Sequence, residues 1–528
     1  MPEPLPPAVL DAAVAGATPR QRAALALVCR EWRAAVLRAA PRVDAPLRSD
    51  AGAASLAAWL GAHGGELLEV SVSTEGLFGR HCTPATRLSI FAALHAAAGS
   101  APPAVAAGAG SDGDGDGDGS SDGEDEAPPG QLEPQAGQQS RAVRPLRLRS
   151  LRASMRIGAP ECAALASLPA PALASLELTG SRTRRLGLDG VRALAEGLSQ
   201  LTCLKVQHLG IGNDAAALLA QRLPRLVDVS LAGNNLGPPA AASVAQHSTA
   251  LTALDLSINS TRRAARPDRA APPRRRERGA LQRGPRRARG RGAARLEALN
   301  VAGNRLSKAE PLAALLHLSS VVLSRNPLQL SAGRVLAGLP ELRELVLFEA
   351  LASPKGVAPL SALAAVTSLT LGADPALHPE GEAGAKLALA GARGAGKLLA
   401  GLAAGGRLGS LAAPCSGLDD GGARALGRLG GSLVHLNLGY NPISAAGLRV
   451  EQAAVLAAVA AGLRGLTYIN LEEIGDVSDR AGRGGHAALW AALPDLCVLA
   501  ARSYGRGGPG TSTGGAAFRS GRVMISCG

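Results

Sequence analysis

The chain has 528 residues and is 46% hydrophobic, yet it holds only 3 Trp, 3 Tyr and 4 Phe, so a core must rest on Leu, Val and Ala. Modules that stack bases on aromatic platforms are thereby excluded. The formal net charge of +14 is local: Arg262–Arg295 carries 14 Arg against Asp268 and Glu277, and the rest of the chain is close to neutral. The 7 cysteines form no C-x-x-C pair, which excludes zinc ribbons and thioredoxin-like motifs and suggests reduced thiols.

The chain opens MPEPLPPAVLDAA, with no basic segment leading into an apolar run, so no signal peptide is expected. Leu88–Ser111 is the longest uncharged stretch, but it is Ala/Gly-rich and broken by Pro102 and Pro103, too weak to cross a membrane. Leu5 and Pro6 open an apolar segment, Thr18 and Pro19 read as a turn, and Val28-Cys29-Arg30-x-Trp32 begins nine residues after that proline. These residues resemble the F-box, with Ala13 and Ala17 where the family has larger aliphatics. The resemblance implies a small all-α domain over 1–45. In it Leu5, Pro6, Val9, Leu10, Val28, Cys29 and Trp32 would make apolar contacts with the Skp-type adaptor of a cullin–RING ubiquitin ligase.

Residues 46–100 read as a first repeat with a helical cap; Ser55–Val70 reads as a helix, Trp59 and Leu60 inward, running into the first strand. The acidic stretch in 101–145, centred on Ser111–Glu126, has high charge and no large apolar side chains, and is expected to be disordered. Asp114, Asp116, Asp118 and Gly119 imitate the start of a calcium-binding loop, but Asp125 stands where a bidentate Glu belongs.

From Leu67 onward the pattern LxxLxLxxN recurs, clearest from Leu226, Leu251, Leu296, Leu318 and Leu433, each followed by Asn at 234, 259, 304, 326 and 441. Looser copies start at Leu67, Leu148, Leu173, Leu201, Leu342, Val366, Leu408, Leu466 and Leu496. LxL sets two side chains on one face of a short strand, because strand side chains alternate. Segments such as Gly190–Leu198, Gly333–Leu339 and Gly422–Leu429 then carry Leu and Ala at helical spacing, so each repeat is a strand followed by a helix. One repeat cannot bury its apolar face alone, and neighbours must stack. The pattern resembles the ribonuclease-inhibitor-like leucine-rich repeats, which implies an α/β horseshoe solenoid over 146–260 and 296–500 whose Asn residues form a ladder. From Val366 to Leu408 the spacing admits either a long helix pair or one degenerate repeat, and 501–528 reads as a disordered tail.

The residue between the two inward leucines faces outward, and these positions are mostly small and polar. Val322 and Val346, with Phe348 beside them, and later Tyr468 are the exceptions, and they are the candidate substrate-binding residues. Residues 261–295 interrupt the repeats and lack a repeat helix. An insertion, a shifted reading frame and a basic element drawn to phosphate all fit that composition. Gly391–Lys397 has phosphate-loop spacing, but Leu398 replaces the magnesium-binding hydroxyl and the flanks read as Ala/Leu helix. Gly510-x-Ser512-x-Gly514 sits in a Gly-rich tail without a preceding strand. No constellation supports catalysis, a cofactor or a metal.

The sequence therefore suggests a non-catalytic substrate receptor of a ubiquitin ligase, in the cytoplasm or nucleus. Its expected partners are adaptor, cullin and a protein substrate, without membrane. Nucleic acid enters only through the Arg segment. The alternative is a repeat scaffold for cytoskeletal or ciliary assembly, at the axoneme or cytoskeleton.

Overall fold

The computed structural model describes residues 42–74, 83–100, 144–180, 186–259, 295–351, 354–373, 392–419, 422, 425–441, 465–470, 498–500, 517–519 and 522–525. They belong to two units, Met1–Leu201 and Thr202–Gly528. The F-box-like residues 5–32, the acidic stretch 111–126 and the Arg-rich segment from 262 to 294 lie outside the described residues.

The first unit is a parallel sheet of β1 (Arg42–Leu47), β2 (Glu69–Thr74), β3 (Ser150–Ser154) and β4 (Ser175–Thr179). It is in continuous register, with Val43 opposite Val70, Val70 opposite Leu151 and Leu151 opposite Leu176. β1 crosses the expected boundary at 45, so the repeats begin earlier than the leucine pattern implies. Ala45 and Pro46 hide the strand in the sequence, and Pro46 is tolerated because β1, among the described residues, pairs with β2 alone.

Four helices back this sheet: α1 (Asp50–His63), α2 (Pro84–Ala97), α3 (Ala159–Ala166) and α4 (Leu188–Gly197). α1 starts five residues before the expected helix, because Ser49 caps it by accepting the Gly52 N–H at 3.1 Å. Leu60 is buried as expected. Trp59 is not turned inward; it is half-buried and lies 5.2 Å from the His63 ring on the next turn. α2 carries the buried Ile90, Phe91 and Leu94, apolar positions at helical spacing.

A buried polar joint ties α2 to α3. Arg87 Nε meets Glu161 Oε1 at 2.8 Å, and Glu161 Oε2 accepts the Gly158 N–H at 2.9 Å, so one carboxylate neutralises a buried cation and caps a helix. His95 Nε2 lies 3.0 Å from the Ala164 carbonyl and Nδ1 3.1 Å from Ser100 Oγ. Burial and the neighbouring Glu161 push the Cys162 thiol far above its usual range, which makes it an inert core residue. α4 crosses α3 so closely that a Cβ on Gly197 would meet the Ala166 carbonyl.

The second unit repeats the plan. β5 (Cys203–Gln207), β6 (Asp228–Ser230), β7 (Ala253–Asp255), β8 (Ala298–Asn300), β9 (Ser320–Val322) and β10 (Glu344–Val346) pair in chain order, each parallel to the next. β11 (Ser368–Thr370), β12 (Ser410–Ala412), β13 (His435–Asn437), β14 (Tyr468–Asn470) and β15 (Val498–Ala500) continue the series. β11 pairs directly with β12, so no strand is inserted between them in the sheet.

The helix side is α5 (Gly212–Arg222), α6 (Pro238–His247), α7 (Ala332–Ala337), α8 (Pro354–Val357) and α9 (Ala392–Gly405), with 3-10 turns at Glu310–Ala314, Ala358–Ala362 and Gly427–Ser432. Beyond β15, the tail expected to be disordered supplies β16 (Ala517–Arg519) and β17 (Arg522–Ile525). β17 pairs parallel with β15 and antiparallel with β16, and so covers what would be an open sheet edge.

The buried asparagines stitch these repeats together. Asn259 Oδ1 accepts the N–H groups of Asn234 (2.7 Å) and Leu236 (3.1 Å), while its Nδ2 donates to the Leu231 and Leu256 carbonyls at 2.9 Å. Asn304 accepts the Asn259 N–H at 3.1 Å and Asn326 the Asn304 N–H at 3.1 Å. The link from Asn259 to Asn304 spans 45 residues, so the repeats on either side of the Arg-rich segment are structural neighbours. Where the sequence offers no asparagine, Ser416 takes the place, its Oγ donating to the Ala413 carbonyl and its N–H to Asn441 Oδ1.

The turn entering the ladder position is left-handed: His208, Gly233, Ile258, Gly303, Arg325, Glu349, Cys415 and Tyr440 all have positive φ, between 45° and 71°. For the β-branched Ile258, at φ 58°, that conformation is costly.

Two outcomes follow for denaturant unfolding. Asn304→Ala should destabilise by about 2–4 kcal/mol, because it orphans the buried Asn259 N–H and deletes donors to two carbonyls. Ile258→Asn should stabilise by up to about 1 kcal/mol through relief of the left-handed strain. A loss below about 0.5 kcal/mol in the first case would contradict the ladder's role.

Candidate functional site

Buried and more exposed residues alternate along β9 and β10. Val321, Leu323, Leu345 and Leu347 are buried, while Val322, Val346 and Phe348 between and after them are half-buried. Val346 stands opposite Val322 in the β9–β10 register, and Phe348 follows two residues on, where its N–H reaches Ser324 Oγ at 3.2 Å. The structure thus brings three of the four candidate substrate-binding residues into one patch on neighbouring strands.

Glu344, which accepts from Ser320 Oγ at 2.8 Å, and the Arg325–Glu349 pair at 3.5 Å border the patch. Tyr468 is not part of it. It sits on β14, four strands from β10, roughly 19 Å away at the usual inter-strand spacing. Its neighbour is His435, with ring centroids 6.1 Å apart.

The polar outward residues divide by use. Asp255, Asn300 and Asn437 each accept a backbone N–H two residues on, at 2.9–3.1 Å, so they build the turn after their own strand. A hydrogen-bonded row crosses the first strands: Gln207 Nε2 donates to Ser230 Oγ at 2.8 Å, and Ser230 Oγ to Asp255 Oδ2 at 3.1 Å.

The sequence reading took only the residue between the inward leucines. The residue two before it also faces outward, which adds Cys203, Asp228, Ser320, Glu344 and His435 to the face. The period-2 alternation of a strand is the signal that finds them.

The adaptor-contact residues Leu5, Pro6, Val9, Leu10, Val28, Cys29 and Trp32 lie outside the described residues, as do Asp114–Gly119 and Gly510–Gly514. Gly396 and Lys397 lie within helix α9, with Leu398 and Leu399 buried, so that segment forms helix rather than a phosphate-cradling loop. Among the described residues no group of three or more His, Cys, Asp or Glu is placed to hold a metal ion. No helix of the described residues is long and apolar enough to cross a membrane.

No family model and no curated protein matches the chain. Among solved structures it is similar to an internalin, InlF, from Listeria monocytogenes, at 18% identity and TM-score 0.40, over 63% of this chain and 81% of that one. Rad7 in the yeast Rad7–Elc1 complex aligns at 17% identity and TM-score 0.41, over 72% and 80%. Mouse RP105/MD-1 aligns at 16% identity and TM-score 0.37, over 62% and 55%. The leucine-rich-repeat architecture stands on this chain's own strand register, inward leucines and asparagine ladder.

The two sides of the strand should respond differently to the same change. Val346→Ser should cost about 1 kcal/mol of folding stability and Leu345→Ser more than about 3 kcal/mol, measured by denaturant titration. Equal costs would contradict the outward placement of the patch.

Proposed function

We propose that this chain is the substrate receptor of a cullin–RING ubiquitin ligase, with residues 1–45 holding a Skp-type adaptor and the strand face of the repeats holding a protein substrate. The observation that carries the proposal is the Val28-Cys29-Arg30-x-Trp32 element, spaced from Leu5-Pro6 and Pro19 as in an F-box and followed directly by a repeat sheet from Arg42. In this reading the chain performs no chemistry. It raises the local concentration of substrate beside a ubiquitin-loaded enzyme, an effective-concentration effect that needs only two simultaneous contacts.

The patch of Val322, Val346 and Phe348 would contribute an apolar anchor site inside a polar rim, the arrangement that concentrates binding energy in a few side chains. The proposed setting is the cytoplasm or nucleus.

A repeat scaffold without ligase function is the second reading, favoured by Ala13 and Ala17 at positions where an F-box has larger aliphatics. Residues 1–45 would then be a helical cap, and the partners cytoskeletal or axonemal.

The double substitution Val28→Ala and Trp32→Ala separates the two. Co-purification of adaptor and cullin should fall at least tenfold while the thermal melt of the repeats is unchanged. Adaptor binding retained by that variant would overturn the assignment of the surface, and absence of adaptor from the wild-type purification would leave the scaffold.

A further inference from the structure

The outward face of β6–β10 carries unbalanced negative charge. Asp228, Asp255 and Glu344 stand on it, and the donors that meet them are neutral. Cys203 Sγ lies 3.6 Å from Asp228 Oδ2. Asp255 accepts from Ser230 Oγ at 3.1 Å and from the Ser257 N–H at 2.9 Å, and Glu344 accepts from Ser320 Oγ at 2.8 Å. Among the described residues no lysine or arginine is ion-paired with any of the three. Lys205 lies on β5, beyond Asp255 on the side away from the valine patch, and the charge of Arg325 is met by Glu349 at 3.5 Å.

The strand register places these charges around the patch. In one row Asp255 stands opposite Asn300, Asn300 opposite Val322, and Val322 opposite Val346. Asp255 is thus two strands from the patch, ~10 Å at the usual inter-strand spacing. In the row two residues earlier, Asp228, Ala253, Ala298, Ser320 and Glu344 follow one another across the sheet. Glu344 precedes Val346 by two residues on β10, ~7 Å along the strand. The side chains between patch and carboxylates, Ala253, Ala298, Asn300 and Ser320, are short, so a partner can lie close along the face.

A partner that seats an apolar side chain on Val322, Val346 and Phe348 also strips water from the carboxylates beside them, and their charge then needs a cation. An acidic peptide or a phosphodiester chain would add like charge to the same face. We propose that the strand face over β6–β10 selects a protein segment with one large apolar residue flanked on both sides by Lys or Arg. The apolar side chain rests on the valine patch, and the flanking cations reach Asp255 on one side and Glu344 on the other. In an extended partner, at ~3.3 Å per residue, a cation about three residues from the anchor spans the distance to Asp255. This selection rests on the reading that the strand face holds a protein, but needs neither the adaptor nor the ligase role.

The test uses the full-length chain and labelled peptides with one central Phe flanked by Lys or by Gln, read by fluorescence polarisation at low salt. Binding of the Lys peptide should weaken about tenfold when its Phe becomes Ser, and about tenfold with Val346→Ser in the protein. Asp255→Asn with Glu344→Gln keeps an acceptor oxygen for Ser257 and Ser320 while removing two charges. That double variant should weaken the Lys peptide about threefold, leave the Gln peptide unchanged and keep the thermal melt of the wild type.

Lys and Gln peptides bound equally, and both weakened by Val346→Ser, would overturn the charge selection while leaving the face a protein site. Binding indifferent to the peptide's Phe and to Val346→Ser would be general charge attraction; that result, or no binding at all, would overturn the face reading and the selection together. Self-association of the chain that the double variant abolishes would assign the face to a second copy instead.

Discussion

A buried asparagine side chain that bonds two repeats at once is the constraint on which the second unit depends. Short parallel strands leave backbone groups unpaired wherever the chain turns away, and those groups lie in the interior, where an unmet hydrogen bond is expensive. Asn234, Asn259, Asn304 and Asn326 meet them in series, each accepting from the repeat before it and donating to carbonyls of its own repeat and its neighbour. The turn this requires is left-handed, and the chain tolerates it even at Ile258 and Tyr440. Where that residue is not glycine, as it is at 233 and 303, strain at the turn is the cost of a continuous ladder.

The first unit solves the same stacking problem differently. It has no described asparagine ladder; its helices are joined by the Arg87–Glu161 pair and by His95, which reaches the Ala164 carbonyl. Removing one member of such a buried pair leaves an uncompensated charge, so the joint is demanding as well as stabilising. With the interior fixed in both units, the outward strand residues are relieved of packing duty. That is why small polar groups can alternate with leucines along every strand, and why a cluster such as Val322, Val346 and Phe348 is conspicuous.

Much of this was legible in the sequence, because period 2 within a strand and a fixed interval between repeats are independent signals that agree. Each LxxL start from Leu67 to Leu496 is followed, two residues later, by a strand. The pattern missed β1, where Val43 and Ala45 stand at the inward positions, and β16 and β17, whose runs are too short to carry a period. Trp59 was misplaced because consecutive residues of a helix lie about 100° apart, so Trp59 and the buried Leu60 cannot both face the core squarely. The valine patch was legible from alternation and register. The Tyr468–His435 pair was not, since scarcity of aromatics carries no information about distance.

The central claim is that the ladder runs unbroken past the Arg-rich segment. Native-state hydrogen exchange at the Asn259 amide tests it directly, because that amide donates to Asn304 across the interruption. The account predicts exchange as slow as at the Asn234 and Asn304 amides, requiring opening of the whole repeat array. Exchange at the rate of an unstructured peptide, with Asn234 still protected, would mean that the coil ends at β7 and that the repeats beyond the segment are held separately.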